Sequence, residues 1–387
     1  MLNLIRELQP ISRADLARRM SVRRGTITPL VRELIESDVV FEKGTATTVR
    51  GRRPTMLCLR TRNRWVVAVD IRAGRSIIAL SDIAGRIVER AEFETPATPD
   101  ELPELLERAL AALLHGHRPH SLTECEALAI VLPGMVDRKT GRLIYAPRLG
   151  WRDANIRTTV SARVNMRVYV ESAPIACALA RLWLEPEASR VVKSFAYVSV
   201  SEGIGVGMVV NGEVLRGEQH TAGEFGHVSL DSAGPPCVCG KIGCWEAFSC
   251  NSATVDRYMA RQEGILAPRK TARARGGSVR GVADVVRRAR SGEPAAITAL
   301  VETGHHIGRG LSVLVSAFNP GRIYLGGEIT AGWEFIEAPI RDALAAGTIS
   351  GLGRETVVVP DRSAAEYRLL GAVALVTASR YAALAVG

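Results

Sequence analysis

Four side chains with the chemistry of soft or borderline metal ligands fall close together: His227, Cys237, Cys239 and Cys244. They stand in the stretch GEFGHVSLDSAGPPCVCGKIGCWE, Gly223 to Glu246. Zinc prefers sulfur and imidazole in a tetrahedral arrangement, and four such ligands with no spare carboxylate suit a closed structural site holding one ion per chain. Gly234, Gly240 and Gly243, with Pro235 and Pro236, supply the turns by which a short loop wraps an ion. The competing reading is buried or disulfide-bonded cysteines beside an unrelated histidine. Cysteines separated by one residue rarely reach each other as a disulfide, and nothing in the sequence marks a secreted protein, so the pattern points to zinc.

The elements that must position this loop are those of a sizeable globular chain. With 387 residues there is length for two or three domains with full cores, and 47% apolar against 23% charged residues is ordinary for a soluble protein. No run of about 20 apolar residues is present to span a membrane. The N-terminus MLNLIRELQPISRADL carries charges where an export signal needs an apolar core, so the expected compartment is the reducing cytoplasm. The net charge of +10 is unevenly distributed: residues 1–64 hold 14 Lys/Arg against 6 Asp/Glu, while the remainder is near neutral. A basic small domain on a near-neutral large one suggests polyanion binding by the first part alone.

Within those first residues, Leu2, Leu4, Ile5 and Leu8 fit one face of a short helix ended by Pro10. Ser12 can cap a second helix, with Asp15 at the capping-box position and Leu16, Ala17 and Met20 facing inward. Ile27, Leu30, Val31, Leu34 and Ile35 have the spacing of a third helix, in which Pro29 predicts a late start or a kink. Val39–Glu42 and Met56–Leu59 read as strands flanking a basic loop, Lys43–Pro54. Three short helices and a basic hairpin make a winged helix-turn-helix, whose third helix enters the major groove while the wing reaches the backbone or minor groove of double-stranded DNA. The expected DNA contacts are Arg23, Arg24, Thr26, Thr28 and Arg32 around the third helix, and Arg50, Arg52 and Arg53 on the wing. A three-helix dimerisation module is the alternative, and this clustering of arginine argues against it.

GEFGH followed by CxCGxxGCxE resembles the signature of the ROK family of sugar kinases and sugar-responsive repressors. The segment SRADLARRMSVRRGTITPLVRELIESDVVFEKG, with RGRRPTMLCL beyond it, resembles the N-terminal domain of the family's repressor branch, except that Arg23 stands where those repressors usually place a capping serine. The resemblance implies an α/β chain. Residues 1–64 would form the winged helix-turn-helix, and residues 65–387 a two-lobed actin-like ATPase (ribonuclease-H-like) sugar-kinase fold. Lobe one would take about 65–190 and 366–387, and lobe two about 191–365 with the zinc site. It also implies that Glu224, His227 and Glu246 touch sugar hydroxyls, for which carboxylate acceptors are suited. Support of the zinc site is the alternative for the two glutamates.

Two kinase stations depart from the family pattern. Where the first phosphate loop reads DxGGT, this chain has Asp70, Ile71, Arg72, Ala73, Gly74 and Arg75. Where the pattern ENDAN supplies the aspartate that takes a proton from the sugar hydroxyl, Glu171–Arg181 (ESAPIACALAR) sets Ser172 and Ala173. Alanine has no titratable group and cannot act as a base. The glycines at 203, 205 and 207 (GIGVG) fit either a phosphate turn or tight packing. His305 and His306, with no partner motif, read as structural.

The expected function is therefore a cytoplasmic transcription regulator, by family a repressor, acting as a homodimer or homotetramer on a DNA operator. A sugar or sugar derivative would be sensed by a body that is no longer an enzyme. Two competing readings remain open at this point: a sugar kinase carrying an added DNA domain, and a regulator that answers to a protein partner or to no ligand.

Overall fold

The computed structural model describes residues 1–45, 54–60, 64–115, 125–185, 192–219, 221–262, 279 and 281–383. The N-terminal elements are helix α1 (Leu2–Leu8), strand β1 (Ile11–Ser12), α2 (Arg13–Arg19), α3 (Arg24–Glu36), β2 (Val40–Thr45) and β3 (Thr55–Leu59). The three strands form an antiparallel sheet in the order β1-β3-β2. Ser12 caps α2 by accepting a hydrogen bond from the Asp15 amide at 3.1 Å, and its hydroxyl donates to the Asp15 carboxylate at 2.7 Å. Helix α3 buries Ile27, Val31 and Leu34, one stripe at helical spacing. It begins at Arg24, ahead of Pro29, so the expected late start does not occur. Pro29 lies in the second turn, where its missing N–H leaves the Gly25 carbonyl without its intrahelical donor.

The body contains two five-stranded sheets of one design. In the first lie β4 (Trp65–Asp70), β5 (Arg75–Asp82), β6 (Ile87–Glu94), β7 (Cys125–Leu132) and, after the small antiparallel sheet of β8 (Met135–Asp137), β9 (Arg142–Ala146) and β10 (Trp151–Ala154), strand β11 (Val168–Ser172). Helices α4 (Leu102–Leu114), α5 (Ile156–Val164) and α6 (Ala173–Leu184) accompany it. The second sheet has β12 (Phe195–Val200), β13 (Ile204–Val210), β14 (Glu213–Leu215), β15 (Arg322–Gly326) and β16 (Val357–Pro360). Between β14 and β15 come α7 (Trp245–Ser249), α8 (Asn251–Gln262), α9 (Val282–Arg290) and α10 (Pro294–Phe318). Helices α11 (Trp333–Ala346) and α12 (Leu352–Glu355) precede β16, and α13 (Ala364–Ala383) ends the described chain.

The orders β6-β5-β4-β7-β11 and β14-β13-β12-β15-β16 match strand for strand. In each, an antiparallel meander of three strands continues into two parallel ones. The parallel strands are buried on both faces and read as continuous apolar runs such as Leu128–Leu132, whereas β6 at the edge alternates half-buried and exposed residues. Helix α13 returns to the first sheet and crosses α6 so closely that a Cβ on Gly371 would overlap the Ala176 backbone. One hydrophobic core runs from Ile5, Leu16 and Ile27 through Val66 and Ala129 to Ile175 and Val373, joining the N-terminal elements to the first sheet. Among the described residues, no helix is long and apolar enough to cross a membrane.

Candidate functional site

The metal-ligand quartet comes together. One ligand atom from each of His227, Cys237, Cys239 and Cys244 lies within 4.8 Å of the other three. The Nδ1 of His227 is 3.6 Å from the Cys237 Sγ, and the Sγ atoms of Cys239 and Cys244 are 3.7 Å apart. A zinc tetrahedron with Zn–S bonds of about 2.3 Å has S···S edges of about 3.8 Å, so these separations fit one central ion. Cys244 precedes α7, and His227 ends a single 3-10 turn, Glu224–His227. Bridges Ser229–Cys244 and Pro236–Ile242 fold the loop between them back on itself, and the Cys237 amide donates to the Lys241 carbonyl at 2.8 Å. Gly243 has a φ of +71°, and a Cβ there would collide with the Asp231 carbonyl. All seven cysteines are free thiols. Burial pushes the thiols of Cys237 and Cys244 above their ordinary range, whereas at Cys239 hydrogen bonds with the Lys241 backbone and the neighbouring thiols outweigh burial and lower it.

The residues expected to meet a sugar divide in two. His227 turns its Nε2 toward Glu224, 3.9 Å from a carboxylate oxygen, the usual relation of a metal-binding histidine to an outer carboxylate. The Glu224 side chain keeps 45% of its surface exposed. Lost hydration on its inner side still raises its pKa, His227 pulls the other way, and nearby Glu246 adds to the rise. Glu246 is buried: one oxygen accepts from the Ile204 amide at 2.9 Å, and the other lies 3.9 Å from the Cys237 Sγ. Glu246 thus already has partners inside the protein and ties the metal loop to β13, while Glu224 faces outward.

The turn after β4, where the family resemblance implies a first phosphate loop, is held by arginine. Asp70, fully buried at the end of β4, is held by the guanidinium groups of both Arg72 and Arg368. The Arg368 Nε is 2.6 Å from one carboxylate oxygen, and its other arm donates to the Ile71 carbonyl at 2.9 Å. The Arg72 amide is taken by the Ser76 hydroxyl at 3.3 Å, and its carbonyl accepts from Thr95 at 2.7 Å. The one backbone donor among these, the Arg72 amide, is thereby engaged rather than offered to an anion. Arg75 is exposed and pairs with Glu92. Arg368 was invisible to a reading by local motif, because 298 residues separate it from Asp70.

At the second departure, Ala173 is buried at the first position of α6 and packs into the core. The Glu171 carboxylate turns back to the Ser172 amide at 2.9 Å and pairs with Arg216 beyond β14. The glycines of GIGVG serve packing: a Cβ on Gly205 would come within 2.8 Å of the Pro174 ring, and one on Gly207 would overlap the Pro174 carbonyl. His306 stacks on Phe248 with ring centroids 4.7 Å apart and stands outside the metal quartet.

At the N-terminal end, Arg23, Arg24, Thr26, Thr28 and Arg32 are all exposed on or beside α3. Arg24, Thr28 and Arg32 follow one another at four-residue spacing, on a single exposed face that flanks the buried stripe. Among the described residues, no carboxylate forms an ion pair with Arg23, Arg24 or Arg32. Arg50, Arg52 and Arg53 lie outside the described residues.

A zinc-type quartet beside an outward glutamate, on a duplicated sheet pair, places the molecule among two-lobed sugar-kinase-like proteins. The chain belongs to the ROK family, whose pattern it matches over residues 66–379. It is 26% identical to the xylose repressor of Bacillus subtilis over 356 residues, which cover 91% of this chain and 87% of that one. In fold it is similar to a ROK family transcriptional regulator described as a homologue of the Escherichia coli Mlc protein. The TM-score is 0.81 at 24% identity, with 99% of this chain and 97% of that chain covered. A ROK glucokinase from Streptomyces griseus, solved with glucose and AMPPNP, matches at TM-score 0.68 and 28% identity. That kinase is covered over 98% of its length by only 80% of this chain, so this chain carries a segment that the kinase does not match.

Proposed function

We propose that the protein is a DNA-binding transcriptional regulator, a repressor in sense, which senses a sugar or sugar derivative through a sugar-kinase-like body that no longer transfers phosphate. Residues 1–64 are its DNA-binding domain and residues 65–387 its sensor. The observation that carries the reading is the pairing of two facts. An exposed, unpaired arginine face lies on α3, and the phosphate loop beside Asp70 is filled by Arg72 and Arg368. Phosphoryl transfer depends on positioning and on charge stabilisation of the phosphates, and both kinase stations lack the groups for it.

His227, Cys237, Cys239 and Cys244 would hold one structural zinc ion, which supplies a fixed tetrahedral anchor for the loop and no chemistry. The protein's own part is to orient His227 so that its far nitrogen and Glu224 offer a donor and an acceptor to a polyol. Arg24, Thr28 and Arg32 would address the major groove, with Arg50, Arg52 and Arg53 on the flanking backbone. A reducing cytoplasm suits seven free thiols, and a symmetric homodimer or homotetramer suits an operator of paired half-sites. Effector control is linkage: a sugar that binds one lobe arrangement better shifts the protein toward it by no more than its differential affinity.

The test is selection of duplexes from fragmented genomic DNA by the full-length protein, followed by challenge of the complex with xylose, glucose and N-acetylglucosamine. Specific duplexes recovered and then released by one sugar are the expected result. Recovery of no specific duplex overturns the regulator reading; release by no sugar, with binding intact, favours a protein partner as the signal.

A further inference from the structure

We propose that helix α6 is a rigid strut by which the state of the Glu224–His227 turn reaches the N-terminal helices, and that Arg6 is the residue that couples them. The inference rests on the regulator reading for its purpose, but its mechanical content stands on packing alone.

The strut's far end is built without slack. The turn carrying Glu224 and His227 lies directly on β13: a Cβ on Gly223 would overlap the Val206 carbonyl, and one on Gly226 the Ile204 carbonyl. The alternate residues of the same strand, Gly205 and Gly207, meet Pro174 in the first turn of α6, as described above. Glu246 fixes the start of that strand by accepting from the Ile204 amide. A shift of the turn by a few tenths of an ångström therefore moves β13, and β13 cannot move without moving Pro174, because close-packed interiors transmit strain rather than absorb it.

The near end is a helix C-terminus, where the last carbonyls lack intrahelical donors. Twelve residues make α6 about 18 Å long. Its closing carbonyls, Leu182 and Trp183, accept from the Arg6 guanidinium at 2.8 and 3.1 Å. Arg6 also lies over the Trp183 ring, 4.2 Å from its centroid. It is 92% buried there, its charge set where a helix dipole favours a cation. Arg6 belongs to α1, which is pinned to the N-terminal sheet by the Leu59 amide donating to Gln9 at 2.8 Å. The contacts run without a gap from the turn, through β13 and α6, to the sheet that backs α3.

The experiment reads amide hydrogen exchange across residues 2–36 in the full-length protein, which requires neither operator nor effector. Gly207→Ala wedges a methyl group against the Pro174 carbonyl, and Pro174→Ala is a milder version that removes only the ring contact and keeps the fold. Either substitution is expected to raise exchange in α1–α3 about fivefold or more, the usual scale of coupling between sites. The same substitution in an Arg6→Gln background should change exchange there by less than twofold. Equal effects with and without Arg6, or no effect of either substitution on α1–α3 in folded protein, overturn the proposal. A failed search for operator or sugar would leave the exchange result standing, so the two readings fail separately.

Discussion

The two lobes are built on the same strand order, yet they place their polar groups in opposite ways. In the first, Asp70 is held between Arg72 and Arg368, and Ala173 is packed in the core. In the second, His227 and three cysteines converge to within 4.8 Å, and Glu224 remains open to solvent. Both sheets keep their apolar parallel strands, because the hydrophobic burial that holds a sheet is indifferent to what stands in its loops. A fold outlives a reaction for that reason. In this chain the groups left open by the fold are the His/Cys quartet, which could hold a metal, and the outward Glu224.

Breaking the second lobe's anchor should give the largest effect. Purified without chelators, the protein should carry one zinc per chain, and Cys239→Ala should lose both the metal and stability, because an incomplete thiolate site binds poorly and the loop is then unheld. A fall of about 10 °C in the melting temperature is expected for a loss of a few kcal/mol in a body of this size. Metal-free wild-type protein of unchanged stability would remove the contrast between the lobes.

The first lobe is tested by attempted repair. Ala173→Asp should form no sugar phosphate from ATP, magnesium and a hexose panel. A base is worth about a hundredfold to ten-thousandfold, but the phosphate loop would still be occupied by Arg72 and Arg368. Product from the single variant, or from wild type above a no-protein control, would mean that the lobe still catalyses. At the N-terminal end, Arg50→Ala and Arg52→Ala should each weaken duplex binding and lower the slope of log affinity against log salt by about 0.9 per phosphate contact removed. An unchanged slope would take that arginine off the backbone.

Much of this contrast was legible in the sequence, because soft metal-ligand types, a side chain without a titratable group and apolar periodicity are local. The His/Cys quartet spans one loop, Ala173 is a single position, and the buried Ile27, Val31 and Leu34 of α3 lie among the residues whose spacing predicts that helix. What escaped was non-local or compensated. Pro29 argued for a late or kinked α3, yet burial of Ile27, Val31 and Leu34, worth about 1.5–3 kcal/mol each, holds the helix from Arg24 onward. The closure of Asp70 by Arg368 depends on α13 returning across the first sheet, which no local pattern announces. For Glu246 the sequence left sugar contact and support of the metal loop both open, and its hydrogen bond from the Ile204 amide and its approach to Cys237 depend on packing that a motif does not carry. The small β8–β10 sheet and α11 were not anticipated, their segments being short or of mixed periodicity.

The smallest expected effect sharpens the comparison from inside the second lobe. His306 sits on α10 against the Phe248 ring, behind the metal loop. Burial, assisted by the charges of Arg257 and Arg309 and by His305, lowers its pKa to about 4 from an ordinary value of 6.5. The folded state thus binds this proton less readily than the unfolded chain, so the contribution is fully present above pH 6.5 and is lost as pH falls toward 4. Between pH 7 and pH 5 that amounts to about 2 kcal/mol at most. His306→Phe keeps a ring on Phe248 and removes the titration, so its stability should fall less over the same interval. Urea midpoints at pH 7 and pH 5 for both proteins make the measurement. Equal losses would show that the imidazole is protonated without penalty where it stands, and that the packing behind the metal loop is looser than its ring contact implies.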